Sequence, residues 1–191
     1  MNLESTLIDY FRRYVAVSSQ SDAANSAIPS SEGQRELAVL LQNDLNALGY
    51  KETTLLESGI LIARLPGSKT GAMSIGFVAH LDTVDVGLSA DIYPQLVRYE
   101  GKPLCLNDVI QFSISEDTHP ELAKYRDQDI LFTDGTSVLG ADNKAAISVM
   151  MTLAKNLSDS GKEHGDIYFA FVPDEEIGLR GAKRFRLIYS R

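Results

Sequence analysis

Two short apolar runs constrain this 191-residue chain more than any other feature: 74-SIGFVA-79 and 166-DIYFAFV-172. Both are too short to cross a membrane as helices, and neither alternates between apolar and polar residues. Runs of this kind predict strands covered on both faces. Segments of helical spacing lie around them. Leu3, Leu7, Phe11, Tyr14 and Val15 share one face of residues 3–17. Leu37, Leu40, Leu41, Leu45 and Leu48 line a second helix, which opens at Pro29-Ser30-Ser31 and stops at Gly49. Ser31 with Gln34 has the spacing of a capping box. Ala146, Val149, Met150, Leu153 and Leu157 line a third helix. Covered strands alternating with amphipathic helices predict an α/β fold, a mixed sheet with helices on both faces.

Two hairpins are expected. Residues 52–56 and 60–65 flank Ser58-Gly59, and Asp134-Gly135 sits between apolar flanks in 130-ILFTDGTSVLG-140. Residues 85–128 alternate too weakly to assign. The final stretch, 183-KRFRLIYSR-191, carries four basic residues, no acid and no helix stop, so the sheet reads as incomplete.

The net charge of −8 argues against nucleic-acid binding and against an anionic membrane surface, and suits a protein that holds cations. Cys105 is the only cysteine, which excludes an internal disulfide and fits a reducing compartment; it reads as a small inert hydrophobe. The N-terminal residues have neither a signal-peptide pattern nor a membrane span, so a cytoplasmic location is expected.

Metal-type ligands follow the apolar runs. In 78-VAHLDTV-84, His80 and Asp82 lie two apart and share a side of an extended chain. Asp142 in 140-GADNKAA-146 stands at the start of the third helix, and 173-PDEE-176 puts Asp174, Glu175 and Glu176 directly behind a proline. Each has a plain alternative: a strand-end histidine satisfied by a nearby acid, a helix cap, a solvated acidic turn. Together they place one histidine and several carboxylates where open α/β sheets collect ligands, at the carboxyl ends of strands. Such donors suit zinc, cobalt or manganese, with a bridging carboxylate between two ions, one glutamate as ligand and its neighbour as base. On this reading dications hold the acids of 174–176 together. His119 and His164 read as surface residues. No phosphate-binding loop, G-x-S-x-G or H-E-x-x-H is present.

The ordered set 75-IGFVAHLDTV-84, 133-TDGTSVLGADNKAA-146 and 171-FVPDEEIGLRGAKRF-185 resembles the dinuclear zinc peptidases of the M20 family. With 30-SSEGQ-34 and 93-YPQLVRYEGKPLCLN-107, it is most similar to the tripeptide aminopeptidases of the peptidase T group. The likeness runs to about Phe185, and residues 186–191 are atypical. It implies the N-terminal part of a catalytic zinc-peptidase domain spanning 1–191. It further implies His80 as ligand of the first zinc, Asp142 as bridging ligand and Glu176 as ligand of the second. Asp82 would be the catalytic aspartate that tunes the site, and Glu175 the general base. A cis peptide is implied at Asp142–Asn143.

The implied activity is release of the N-terminal residue of a tripeptide by zinc-activated water, with a small peptide as partner. The family also has a further aspartate ligand, a distant histidine ligand and a lid domain through which homodimers form, and none of these has a match here. Each zinc keeps two protein ligands, short of the usual three. The expectation is a chain with impaired activity, from a truncated gene product or a shifted reading frame. A non-catalytic fragment and a related M20-type carboxypeptidase or amidohydrolase are the alternatives.

Overall fold

The computed structural model describes residues 2–184, so the atypical tail at 186–191 lies outside the described residues. Two compact units are present, one formed by 1–85 with 140–191 and the other by 86–139.

The larger unit opens with helix α1 (Leu3–Val15), whose first turn is capped by the Asn2 side chain accepting from the amides of Glu4 and Ser5. Helix α2 (Glu32–Ala47) follows. Strands β1 (Glu52–Leu55) and β2 (Leu61–Leu65) form the expected antiparallel hairpin, with Gly59 at φ +77° supplying the left-handed turn position. Strand β3 (Ile75–His80), helix α3 (Ala141–Ser160) and strand β8 (Ile167–Val172) make a parallel strand–helix–strand unit. The sheet order is β1-β2-β8-β3, antiparallel except for β3 with β8. This is a mixed, incomplete sheet of the α/β class.

Residue parity decides the core. Leu61, Ala63 and Leu65 of β2 and Ile167, Phe169 and Phe171 of β8 point to one face. There they join Tyr14 from α1, Leu37, Leu41 and Leu45 from α2, and Ile147, Met151 and Ala154 from α3. Helices on both faces were expected; the three described helices share this one cluster with one face. Burying that many side chains is the main stabilisation of the unit, at roughly 1.5–3 kcal/mol for each large one. Polar ties close the helical side: the Tyr14 hydroxyl donates to Asp44 at 3.0 Å, and Arg13 pairs with Asp44 at 2.9 Å.

Three further expectations for this unit need correction. The run at 74–79 is not a covered central strand: β3 is an edge strand among the described residues, and Ile75, Phe77 and Val78 are exposed. Its apolar composition suits two neighbours, and here it has β8 alone. The buried face of α3 is also rotated from the expected stripe. Val149 is exposed, while Ile147, Met150, Met151 and Ala154 are buried with the polar Lys144, Ser148 and Thr152. Finally, Ser31 caps no amide with its side chain; Gln34 Nε2 lies 3.1 Å from the Ser31 hydroxyl and also reaches Asp174.

The smaller unit has strand β4 (Gln95–Tyr99) paired with β7 (Gln128–Phe132), and β5 (Leu104–Asn107) paired with β6 (Phe112–Ile114), both antiparallel. Tyr99, Leu106, Ile114 and Leu122 form its core. The expected hairpin at Asp134-Gly135 is absent, for β7 pairs with β4 instead. Asp134 accepts from the amide and hydroxyl of Thr136, which makes a side-chain-closed turn. Gly135, at φ +83°, has the Phe112 ring packed where a Cβ would stand. Cys105 is exposed and its thiol meets Asp108 at 2.9 Å.

Candidate metal centre

The site lies where parallel β3 and β8 end beside the start of α3. β3 runs directly into His80 and β8 into Pro173, so the two strand ends deliver their following residues to the same edge. The imidazole is buried, and its Nδ1 lies 3.0 Å from the backbone carbonyl of Asp82. Nε2 lies 2.9 Å from Asp142 Oδ1.

Asp142 reaches that position because the chain is not yet helical there. Gly140 takes the left-handed conformation at φ +70°, and Asp142 (ψ 105°) and Asn143 (φ −120°) depart from helical geometry before the regular turns begin. The Asp142–Asn143 peptide is cis, as the sequence resemblance implies. The Asp142 side chain is 83% exposed and caps no helix amide; its carboxylate faces the histidine. The next buried group, Lys144, is fully enclosed and donates to the Val17 carbonyl at 2.7 Å. Burial pushes its amine down to about 7.

Asp82 does not face the cleft. Its carboxylate is fully buried and accepts from the amide of Glu175 at 2.9 Å and from that of Glu176 at 3.0 Å. Oδ1 lies 3.4 Å from His80 Nδ1. Burial pushes this carboxyl up, but the His80 ring and the two amides outweigh it and hold it below its ordinary value. Burial likewise works against a charged His80, yet Asp82 and Asp142 raise the ring to about 9. Glu176 is raised by its partial burial and by Asp142, Glu175 and Asp82, against the opposing pull of His80. Carboxylates crowded in this way gain from a cation.

Among the described residues, His80, Asp142 and Glu176 form a group in which one ligand atom from each lies within 4.8 Å of the others. One imidazole nitrogen and two carboxylates are the donor chemistry of a borderline dication such as zinc. The observed geometry fits such an ion: a buried histidine oriented from behind by a backbone carbonyl, facing two acids at the open side. Glu175 lines a cleft of about 400 Å³ together with His80, Asp142, Asn143, Val172 and Leu179. His119 is exposed and His164 half-buried, and both make local contacts.

Asp174 departs from the acidic trio. It is fully buried, and its carboxylate accepts from the Ser30 amide and hydroxyl and from Gln34 Nε2, at 2.6–3.1 Å. Protein donors hold it, so the expectation that dications gather all three acids does not extend to Asp174. Ser30 and Gln34 were missed as its partners. The spacing Ser30-x-x-x-Gln34 puts both at the start of α2, but nothing local points to a residue 140 or more positions away.

Comparison with known proteins agrees with this picture. A family model described as M42 glutamyl aminopeptidase matches residues 127–188. A peptidase T-like protein of Yersinia pestis is 52% identical over 185 residues, covering 97% of this chain and 45% of its own length. Peptidase T of Aeromonas hydrophila is 41% identical over 187 residues, covering 95% of this chain and 44% of its own. The crystal structure of aminopeptidase PepT from Bacillus cereus superposes with a TM-score of 0.68 at 26% identity, covering 97% of this chain and 40% of that one. The chain is thus homologous to peptidase T and peptidase T-like proteins along nearly its whole length, and spans about 45% of the length of these curated relatives.

Proposed function

We propose that this chain is the N-terminal part of the catalytic domain of a metal-dependent tripeptide aminopeptidase of the peptidase T kind. The observation that carries the reading is the convergence of His80, Asp142 and Glu176 at one sheet edge, beside a cleft lined by Glu175. His80, Asp142 and Glu176 would hold the metal, zinc by donor type. A divalent ion there supplies Lewis acidity, polarising a peptide carbonyl and making water more acidic.

The chain's own residues do the rest. Asp82 and the carbonyl behind His80 keep the imidazole turned toward Asp142. Glu175, open to the cleft, takes the proton of the attacking water and passes it to the leaving amine. The substrate is a small peptide, recognised by its free N-terminus, and a cytoplasmic enzyme of peptide breakdown is the setting this implies. No helix among the described residues is long and apolar enough to cross a membrane.

The test is product analysis with zinc-supplemented chain and an unblocked tripeptide. Release of the N-terminal amino acid, abolished by chelation and reduced at least a hundredfold in Glu175→Gln, is the expected result. Release from the C-terminal end would favour an M20-type carboxypeptidase. Intact peptide over a metal-filled site would assign the chain to metal binding without turnover.

A further inference from the structure

Every polar group of Asp174 is engaged. Its amide donates to Gln34 Oε1 at 2.9 Å, and its carbonyl accepts from the Arg180 amide at 2.9 Å. Its carboxylate takes three donors from Ser30 and Gln34. The backbone sits at φ +57°, a conformation that aspartate tolerates better than most residues. The two following amides, of Glu175 and Glu176, then point together into the Asp82 carboxylate. The return of the chain is as tightly fixed: Gly181 donates to the Pro173 carbonyl, and a Cβ at that glycine would stand 2.2 Å from the same oxygen.

From this arrangement we infer that Asp174 is a positioning residue: the start of α2, through Ser30 and Gln34, sets the turn that aims Glu175 and Glu176 at the candidate metal centre. A strand end followed by three acids has many conformations. Here the first acid is locked from one side by α2 and the amides of the next two are locked from the other side by Asp82. With both amides held, the Glu175 side chain lines the cleft and Glu176 lies with His80 and Asp142. This role deepens the metallopeptidase reading and rests on it for its purpose, though the geometry of the turn stands without a metal.

Two readouts separate the two ideas. Amide hydrogen exchange at Glu175 and Glu176, followed by NMR in the metal-free chain, tests the turn itself. Asp174→Ala should speed exchange at both amides at least tenfold, and the milder Ser30→Ala, which removes the hydroxyl donor but keeps the amide of residue 30 and Gln34 Nε2, should do so by a smaller factor. Tyr14→Phe, which removes a hydrogen bond in the helical core, should leave both amides protected. Co²⁺ titration followed by visible absorption tests the purpose. Affinity should fall about tenfold or more in Asp174→Ala, as for other groups that orient ligands from behind, with an altered spectrum.

Unchanged exchange at Glu175 and Glu176 in both network variants overturns the inference, as does equal loss of protection in Tyr14→Phe. Failure of the wild-type chain to bind Co²⁺ overturns the metal reading, and the exchange result still decides whether Asp174 sets the turn.

Discussion

Asp82 and Asp174 are both fully buried carboxylates, and each is surrounded by donors supplied from a distant part of the chain. A buried charge survives only with such partners. Thr152 is the contrasting case. It is 8% exposed on α3, and its hydroxyl is the buried side-chain polar atom that finds no hydrogen-bond partner among the described residues. Replacing it by the isosteric valine removes an unsatisfied group without opening a cavity. Thr152→Val should therefore stabilise the chain by about 1 kcal/mol, read as a raised urea midpoint with an unchanged slope. A lowered midpoint would mean that the hydroxyl has a partner. Asp82→Ala should act in the opposite sense, since it strands two amides and the His80 ring; a loss of about 2–3 kcal/mol in the same experiment is expected. The candidate site residues were legible in the sequence because His80, Asp142 and the 175–176 pair each follow a recognisable strand or open a helix. Asp174 was not distinguishable from its neighbours. What separates it is a left-handed backbone and partners at the start of α2, and neither leaves a local trace.

Among the elements, α1, α2, the β1–β2 hairpin and β8 could be read from periodicity and from Gly59. The position of β3 could not. An apolar run reports how much cover a strand suits, and the cover is settled by which strands pair with it. The turn at Asp134-Gly135 failed as a hairpin for a related reason: the signal describes two residues, whereas pairing of β7 with β4 is fixed by Val97, Tyr99, Ile130 and their packing. The larger sheet also has an electrostatic seam. Arg64 on β2 pairs with Glu52 on β1 at 2.7 Å and with Asp166, beside β8, at 2.9 Å. The Gly67 amide and then Arg64 hold the Asp166 carboxyl below its ordinary value of 3.8. A carboxyl depressed in the folded state stabilises above its unfolded pKa, and that contribution is lost as pH falls through the folded value. Asp166→Asn should thus melt lower than the wild type at neutral pH, and the gap should close below about pH 4. A gap that persists undiminished in acid would show that the residue acts through packing alone.

For the whole molecule, the two units carry different kinds of information. The residues that converge on the candidate centre all come from the unit formed by 1–85 and 140–191, and the likeness to peptidase T covers both units. The fold class was readable from the alternation of covered strands and helices. The separate unit at 86–139 was not, because its strands are short and its core rests on few large residues. The proposed activity of the whole molecule depends on His80, Asp142 and Glu176 holding a divalent metal. The most direct test is calorimetric titration of the 191-residue chain with Zn²⁺, run beside Asp142→Ala. Saturable binding in the wild type, weakened at least tenfold in the variant, is the predicted result. No saturable binding, or binding that the variant leaves unchanged, would contradict it.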